Sequence, residues 1–116
     1  MNFAISHIDQ VSVVKLSERR LDANISGLVK GEFTNLVKNM NVRKLVIDLS
    51  DVESCDSSGL STLLVANRLI SSVHGGLRIV CPSKKILNLI EVTKLDRVLT
   101  LSKTIDEALS DLKLIH

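Results

Sequence analysis

Asp56-Ser57-Ser58-Gly59-Leu60 is the stretch of this chain whose residue types lie nearest to chemistry. It follows an apolar run, Leu45-Val46-Ile47-Asp48-Leu49, and precedes apolar residues at helical spacing. A carboxylate and two hydroxyls therefore stand where a strand passes into a helix. The first N–H groups of a helix have no partner within it and carry partial positive charge, so such a place accommodates a phosphate. A serine there serves as a cap, as a nucleophile or as a phosphorylation site. Asp56 or Ser57 can accept an N–H of the first turn, and Gly59 leaves room for a partner to approach the backbone. One cap is enough for a helix, yet three residues able to supply it stand in a row. The cap reading and the modification reading both stay open at this point.

The nucleophile reading is weaker. A hydrolase elbow reads Gly-x-Ser-x-Gly, which is absent, and a catalytic serine needs a base within hydrogen-bond reach. The histidines are His7 near the first strand, His74 at the end of a helix and His116 at the last position, each expected on the surface. No lysine adjoins the motif, so the protein is not expected to be an enzyme. No His/Cys pair has metal-ligand spacing, and Asp48, Asp51 and Asp56 lack the glycine-containing pattern of a calcium loop. Without a Gly-Lys-Ser/Thr there is no P-loop, and no cofactor is expected.

The elements that must position the motif follow from periodicity. Phe3 to Ile5 and Val11 to Leu16 read as a hairpin around a polar turn at Asp9-Gln10, and Ser17 to Arg20 breaks the pattern. Asp22 or Asn24 caps a helix from about Ile25 to Met40, with Ile25, Leu28, Val29, Leu36, Val37 and Met40 on one face. Gly27 and Gly31 weaken that helix by about 1 kcal/mol each relative to alanine, and close packing on the sheet would account for them. Lys44 to Leu49 is an inner strand. The helix after the motif runs to about Val73 and ends at Gly75-Gly76. Leu77 to Val80 is another inner strand, and Pro82-Ser83 opens a helix through about Val92. Val98 to Leu101 is a short strand, and Thr104 caps a last helix with Ile105, Ala108, Leu109 and Leu112 on its apolar side. The order β-β-α-β-α-β-α-β-α implies an α/β fold. Its sheet is mixed and mainly parallel, with about four to five strands and about four helices.

The 116 residues suit one domain spanning 1–116. Apolar residues make up 45% and charged residues 24%, the balance of a globular protein. A net charge of +2 and two phenylalanines as the only aromatics give no basis for nucleic-acid binding. Arg19-Arg20 and Lys84-Lys85 read as solvated surface. No run approaches a membrane span, and Met1 to His7 lacks the form of an export signal, so a cytoplasmic protein away from membranes is expected. The absence of a tail or second domain favours a monomer. Cys55 and Cys81 read as small buried hydrophobes, with a redox switch at Cys55 the lesser alternative.

Val46-Ile47-Asp48-Leu49-Ser50-Asp51-Val52 followed by Asp56-Ser57-Ser58-Gly59-Leu60 resembles the STAS domains, and among them the bacterial anti-sigma factor antagonists. Leu21-Asp22, Gly75-Gly76, Thr93-Lys94-Leu95 and Ile105-Asp106-Glu107-Ala108-Leu109 extend the resemblance over nearly the whole chain. Glu18-Arg19-Arg20-Leu21-Asp22 stands where many members have Gly-Glu-Leu/Ile-Asp. The resemblance implies partner switching. The unmodified antagonist binds an anti-sigma factor that is also an ATP-dependent serine kinase, and a sigma factor is freed. Phosphorylation releases the antagonist and a serine phosphatase resets it. By motif position the modified residue is Ser57, with Asp22, Asp56, Ser58, Gly59 and Leu60 as the surrounding contact residues. A scaffold or lipid-trafficking STAS subunit, with Ser57 acting only as a cap, is the alternative.

Overall fold

The computed structural model describes residues 2–114, so His116 lies outside the described residues. Its strands are β1 (Phe3–Ile8), β2 (Val11–Leu16), β3 (Arg20–Leu21), β4 (Lys44–Asp48), β5 (Ser54–Cys55), β6 (Gly76–Val80) and β7 (Leu101–Ser102). Its helices are α1 (Ala23–Lys38), α2 (Ser57–Ser72), α3 (Lys84–Val92) and α4 (Ile105–Lys113), with a 3-10 turn at Leu95–Arg97. The main sheet has the order β1-β2-β4-β6-β7. Only β1 runs antiparallel, to β2; the pairs β2–β4, β4–β6 and β6–β7 are parallel.

The inner strands are apolar on both faces because both are covered. Val14, Leu16, Leu45, Ile47, Leu77 and Ile79 pack with residues of α1, α2 and α3, among them Phe33, Leu36, Leu63, Ile70 and Ile90. Val11, Val13, Val46 and Val80 meet Ala108 and Leu112 of α4 on the opposite face. The period of two along each strand thus splits one apolar run between two layers. Three helices on one side and one on the other leave the carboxyl ends of the parallel strands at one rim, where β4 leads toward the Asp56 motif.

Three expectations fail. Gly27 and Gly31 do not press on the sheet: both are exposed, and a Cβ at either would meet nothing within 4 Å. Leu28 and Met40 also point outward, 60% and 50% exposed, while Phe33 fills the core instead. The helix ends at Lys38 with Asn39 as its C-cap, so Met40 lies beyond the apolar stripe. The strand expected over Val98 to Leu101 is confined to Leu101–Ser102. Val98 and Leu99 instead spend their N–H groups on the Leu95 carbonyl, at 3.0 and 2.8 Å, as the 3-10 turn closes.

Candidate functional site

Two of the shortest elements build the site. Strands β3 and β5 pair in parallel, Arg20 with Ser54 and Leu21 with Cys55. The next residue after each is an aspartate that caps a helix. The register therefore sets Asp22 and Asp56 at the same level, at the starts of α1 and α2. Asp22 Oδ1 accepts the Asn24 N–H at 3.0 Å, and Asp56 Oδ1 accepts the Gly59 N–H at 2.9 Å. The Asp56 N–H itself donates to the Leu21 carbonyl at 3.3 Å. That carbonyl occupies the space a side chain at residue 59 would need: a Cβ on Gly59 would collide with Leu21 O and lie 2.5 Å from Cys55 Sγ. The opening at Gly59 is thus filled from within the protein. Leu60 is buried too, and both residues hold the start of α2 against β3.

Because Asp56 supplies the cap, the serines do not have to. Ser57 is the first residue of α2 and is exposed; Ser58 follows and is half-buried. Neither hydroxyl makes a hydrogen bond among the described residues. The reading of Ser57 and Ser58 as mere caps is overturned by that division of labour. What is left is an unengaged hydroxyl at the positive end of a sixteen-residue helix.

The histidines lie elsewhere. His74 follows the far end of α2, roughly 24 Å along the helix axis from Ser57 at 1.5 Å per residue. His7 bonds Ser12 at the same far end, with Nδ1 2.9 Å from Ser12 Oγ. Neither is positioned to deprotonate Ser57. Among the described residues no group of three or more His, Cys, Asp or Glu side chains is placed to hold a metal ion. No helix there is long and apolar enough to cross a membrane.

The basic pairs Arg19-Arg20 and Lys84-Lys85 are exposed, as expected, and Arg19, Arg20 and Lys85 border with Glu18, Asp22, Glu53 and Ser54 an open cleft of about 650 Å³ beside the two caps. Arg19 is held by Glu53 at 3.1 Å, whereas Arg20 and Lys85 have no ion pair among the described residues. The signal that could have found this cleft is the repeated order of an apolar or small residue followed by aspartate, Leu21-Asp22 and Cys55-Asp56.

Cys55 lies under the same junction. Burial first, then the neighbouring charge of Asp56 and then Cys81, push its thiol up to about 12. Burial likewise raises Cys81. Iodoacetamide at pH 8 is therefore expected to alkylate Cys55 in the folded protein about a hundredfold or more slowly than in urea, since the thiolate is the reacting form. Cys81 is buried as expected, whereas Cys55 is half-buried, and equal rates in the two states would refute the shielding of its thiol. The sign for stability follows: the unfolded thiol ionises at ordinary alkaline pH while the folded one stays neutral, so its contribution is present below about pH 9 and is lost as pH rises toward 12.

The STAS domain model matches residues 2–108 of this chain. A Thermotoga maritima protein named as a candidate anti-sigma factor antagonist is 30% identical over 111 residues, covering 96% of this chain and 97% of the relative. A crystal structure of an anti-sigma factor antagonist from Mycobacterium paratuberculosis superposes with a TM-score of 0.87 at 28% identity, covering 97% of this chain and 93% of that one. The anti-sigma factor antagonist SpoIIAA shares the fold in its unphosphorylated and phosphorylated forms. The two forms give TM-scores of 0.75 and 0.73 at 17% and 18% identity, covering 98% and 95% of this chain and 100% and 98% of theirs.

Proposed function

The chain belongs to the STAS domain family, and from that membership we propose that it is an anti-sigma factor antagonist that changes partners through Ser57. In its unmodified form it docks on an anti-sigma factor that is also a serine kinase, and a sigma factor is freed. The kinase transfers the γ-phosphoryl group of Mg-ATP to Ser57 Oγ: the oxygen–phosphorus bond forms, ADP leaves, and the serine proton passes to a base of the kinase. A serine phosphatase hydrolyses the ester and restores the hydroxyl. The protein is substrate and ligand in this cycle, not a catalyst.

The observation that carries the reading is the exposed Ser57 hydroxyl, which makes no hydrogen bond among the described residues because Asp56 makes the cap. Asp22, Asp56 and Ser58 form the contact surface around it, with Gly59 and Leu60 supporting that surface from inside. Phosphoserine brings about −1.5 to −2 charges, which meet roughly +0.5 at the helix start and repulsion from Asp56. These effects oppose one another, so the fold changes little while the docking surface changes sign. The test is incubation of the purified protein with serine kinases of the same genome and Mg-ATP, followed by mass-spectrometric mapping. Phosphate on Ser57 alone is expected, and it disappears in Ser57→Ala. Absence of transfer by every such kinase, or transfer to another residue, would remove the switch and leave the scaffold reading.

A further inference from the structure

The two edges of the main sheet, β1 and β7, are built differently. β7 is two residues long and is followed by Lys103; brevity and an edge lysine both keep an edge from pairing with another chain. β1 has neither device. It runs over six residues, Phe3-Ala4-Ile5-Ser6-His7-Ile8, with no Lys, Arg, Asp, Glu or Pro among them. Its register with β2 is unbroken from Phe3–Leu16 to Ile8–Val11, so no bulge turns it aside, and β2 is the only strand it bonds. One side of β1 is therefore an open, uncharged edge.

The Ser17 N–H donates to the Asn2 carbonyl at 2.9 Å, which fixes the residues that face β2. Antiparallel bonding alternates, so Ala4, Ser6 and Ile8 spend their backbone groups on β2. Phe3, Ile5 and His7 each turn an N–H and a C=O to the open side. That set is symmetric about Ile5. A second copy turned through a twofold axis at Ile5 sets Phe3 opposite the second copy's His7, Ile5 opposite Ile5, and His7 opposite Phe3. Each of these pairs exchanges two backbone hydrogen bonds. A shift of two residues either way, which keeps the outward groups in step, leaves fewer such pairs within β1. The side chains suit the same register. Phe3 and Ile5 pack against the core that α1, α2 and α3 cover, and across the axis they continue that apolar layer into the copy. On the other face Ser6 stands opposite Ala4, and Ile8, 40% exposed, stands opposite Asn2. No like charges meet within the paired strands.

We propose that two copies of this chain pair antiparallel through β1 into a twofold dimer with one continuous sheet, in place of the monomer expected from the sequence. The pairing uses neither Ser57 nor the residues around it, so it stands or falls apart from the phosphorylation reading. An edge of this length makes a small interface, so sedimentation equilibrium from about 1 μM to about 1 mM protein should trace a monomer–dimer curve. The curve should stop at the dimer, because β1 is then consumed and β7 is blunt. Ser6 is exposed, and across the axis the two Ser6 residues lie on a diagonal within reach of long side chains. Ser6→Lys and Ser6→Glu should each dimerise about fivefold or more weakly than the parent at low salt. An equimolar mixture of the two variants should recover the parent's affinity, which separates the axis from any loss of fold. A monomer at every concentration would overturn the pairing and leave the edge to a strand of another protein. Assemblies growing past the dimer, or a mixture no tighter than the single variants, would overturn it as well.

Discussion

Ser57→Asp is expected to bind the anti-sigma factor at least about a hundredfold more weakly than Ser57→Ala, with both variants melting within about 2 °C of the parent. The stability half follows from the site. Ser57 is exposed and its hydroxyl bonds nothing among the described residues, so alanine removes no contact and aspartate meets the favourable end of a helix. The binding half follows from desolvation. A surface that accepts a neutral hydroxyl leaves a new carboxylate buried and unpaired, which costs about 3 to 5 kcal/mol. A hundredfold needs only about 2.8 kcal/mol. Phosphoserine carries more charge than aspartate, so the variant sets a lower bound on the proposed switch. Ser57→Ala should also stay bound in the presence of Mg-ATP, whereas the parent dissociates. Titration calorimetry of both variants against the purified kinase reads the effect directly. Indistinguishable affinities, with both proteins folded, would sink the latch mechanism.

Gly59→Ala should be the most destabilising single-methyl change in the motif, by about 3 kcal/mol and about 12 °C in Tm. The added Cβ would strike the Leu21 carbonyl and Cys55, so α2 must withdraw from β3. That withdrawal strains the Asp56–Gly59 cap bond, a contribution of about 1 kcal/mol, in addition to the overpacking itself. The same substitution at Gly27 or Gly31 meets open space on the exposed face of α1. There it should raise stability by about 0.5 to 1 kcal/mol, through helix propensity and a less flexible unfolded chain. Thermal melts of the three variants form one experiment with opposite signs. Equal melting of Gly59→Ala and Gly31→Ala would show that the close packing of α2 on β3 is misplaced.

The strand-to-helix position of Asp56-Ser57-Ser58-Gly59 was legible because it rests on local signals. An apolar run, a cluster of small polar residues and apolar residues three and four apart mark a β-to-α junction without reference to anything distant. Thr104 was readable as a cap and Pro82-Ser83 as a helix opening for the same reason, and Thr104 and Ser83 each accept an N–H of their helix, at 3.1 and 3.4 Å. The β3–β5 pairing was not legible. Two-residue strands have no period, and Leu21 and Cys55 find each other only when α1 and α2 lie side by side. Without that pairing, the two aspartates could not be set level with each other, nor Arg20 and Lys85 assigned to one cleft. The outward turn of Leu28 was hidden likewise, since a helical stripe shows which residues share a face and not how wide a face the neighbours will cover, and Met40 was misplaced because the helix stops at Lys38.

By itself the sequence determined the four helices and the strands of the main sheet in their order, the place of the motif at the start of α2 and the pattern that marks the family, because each is written in residues a few positions apart. Only the tertiary structure decided that Asp56 caps, that Ser57 is thereby released and that Gly59 is closed from inside. Those outcomes depend on a carbonyl from a strand more than thirty residues upstream reaching the first turn of α2, a contact that no local pattern encodes.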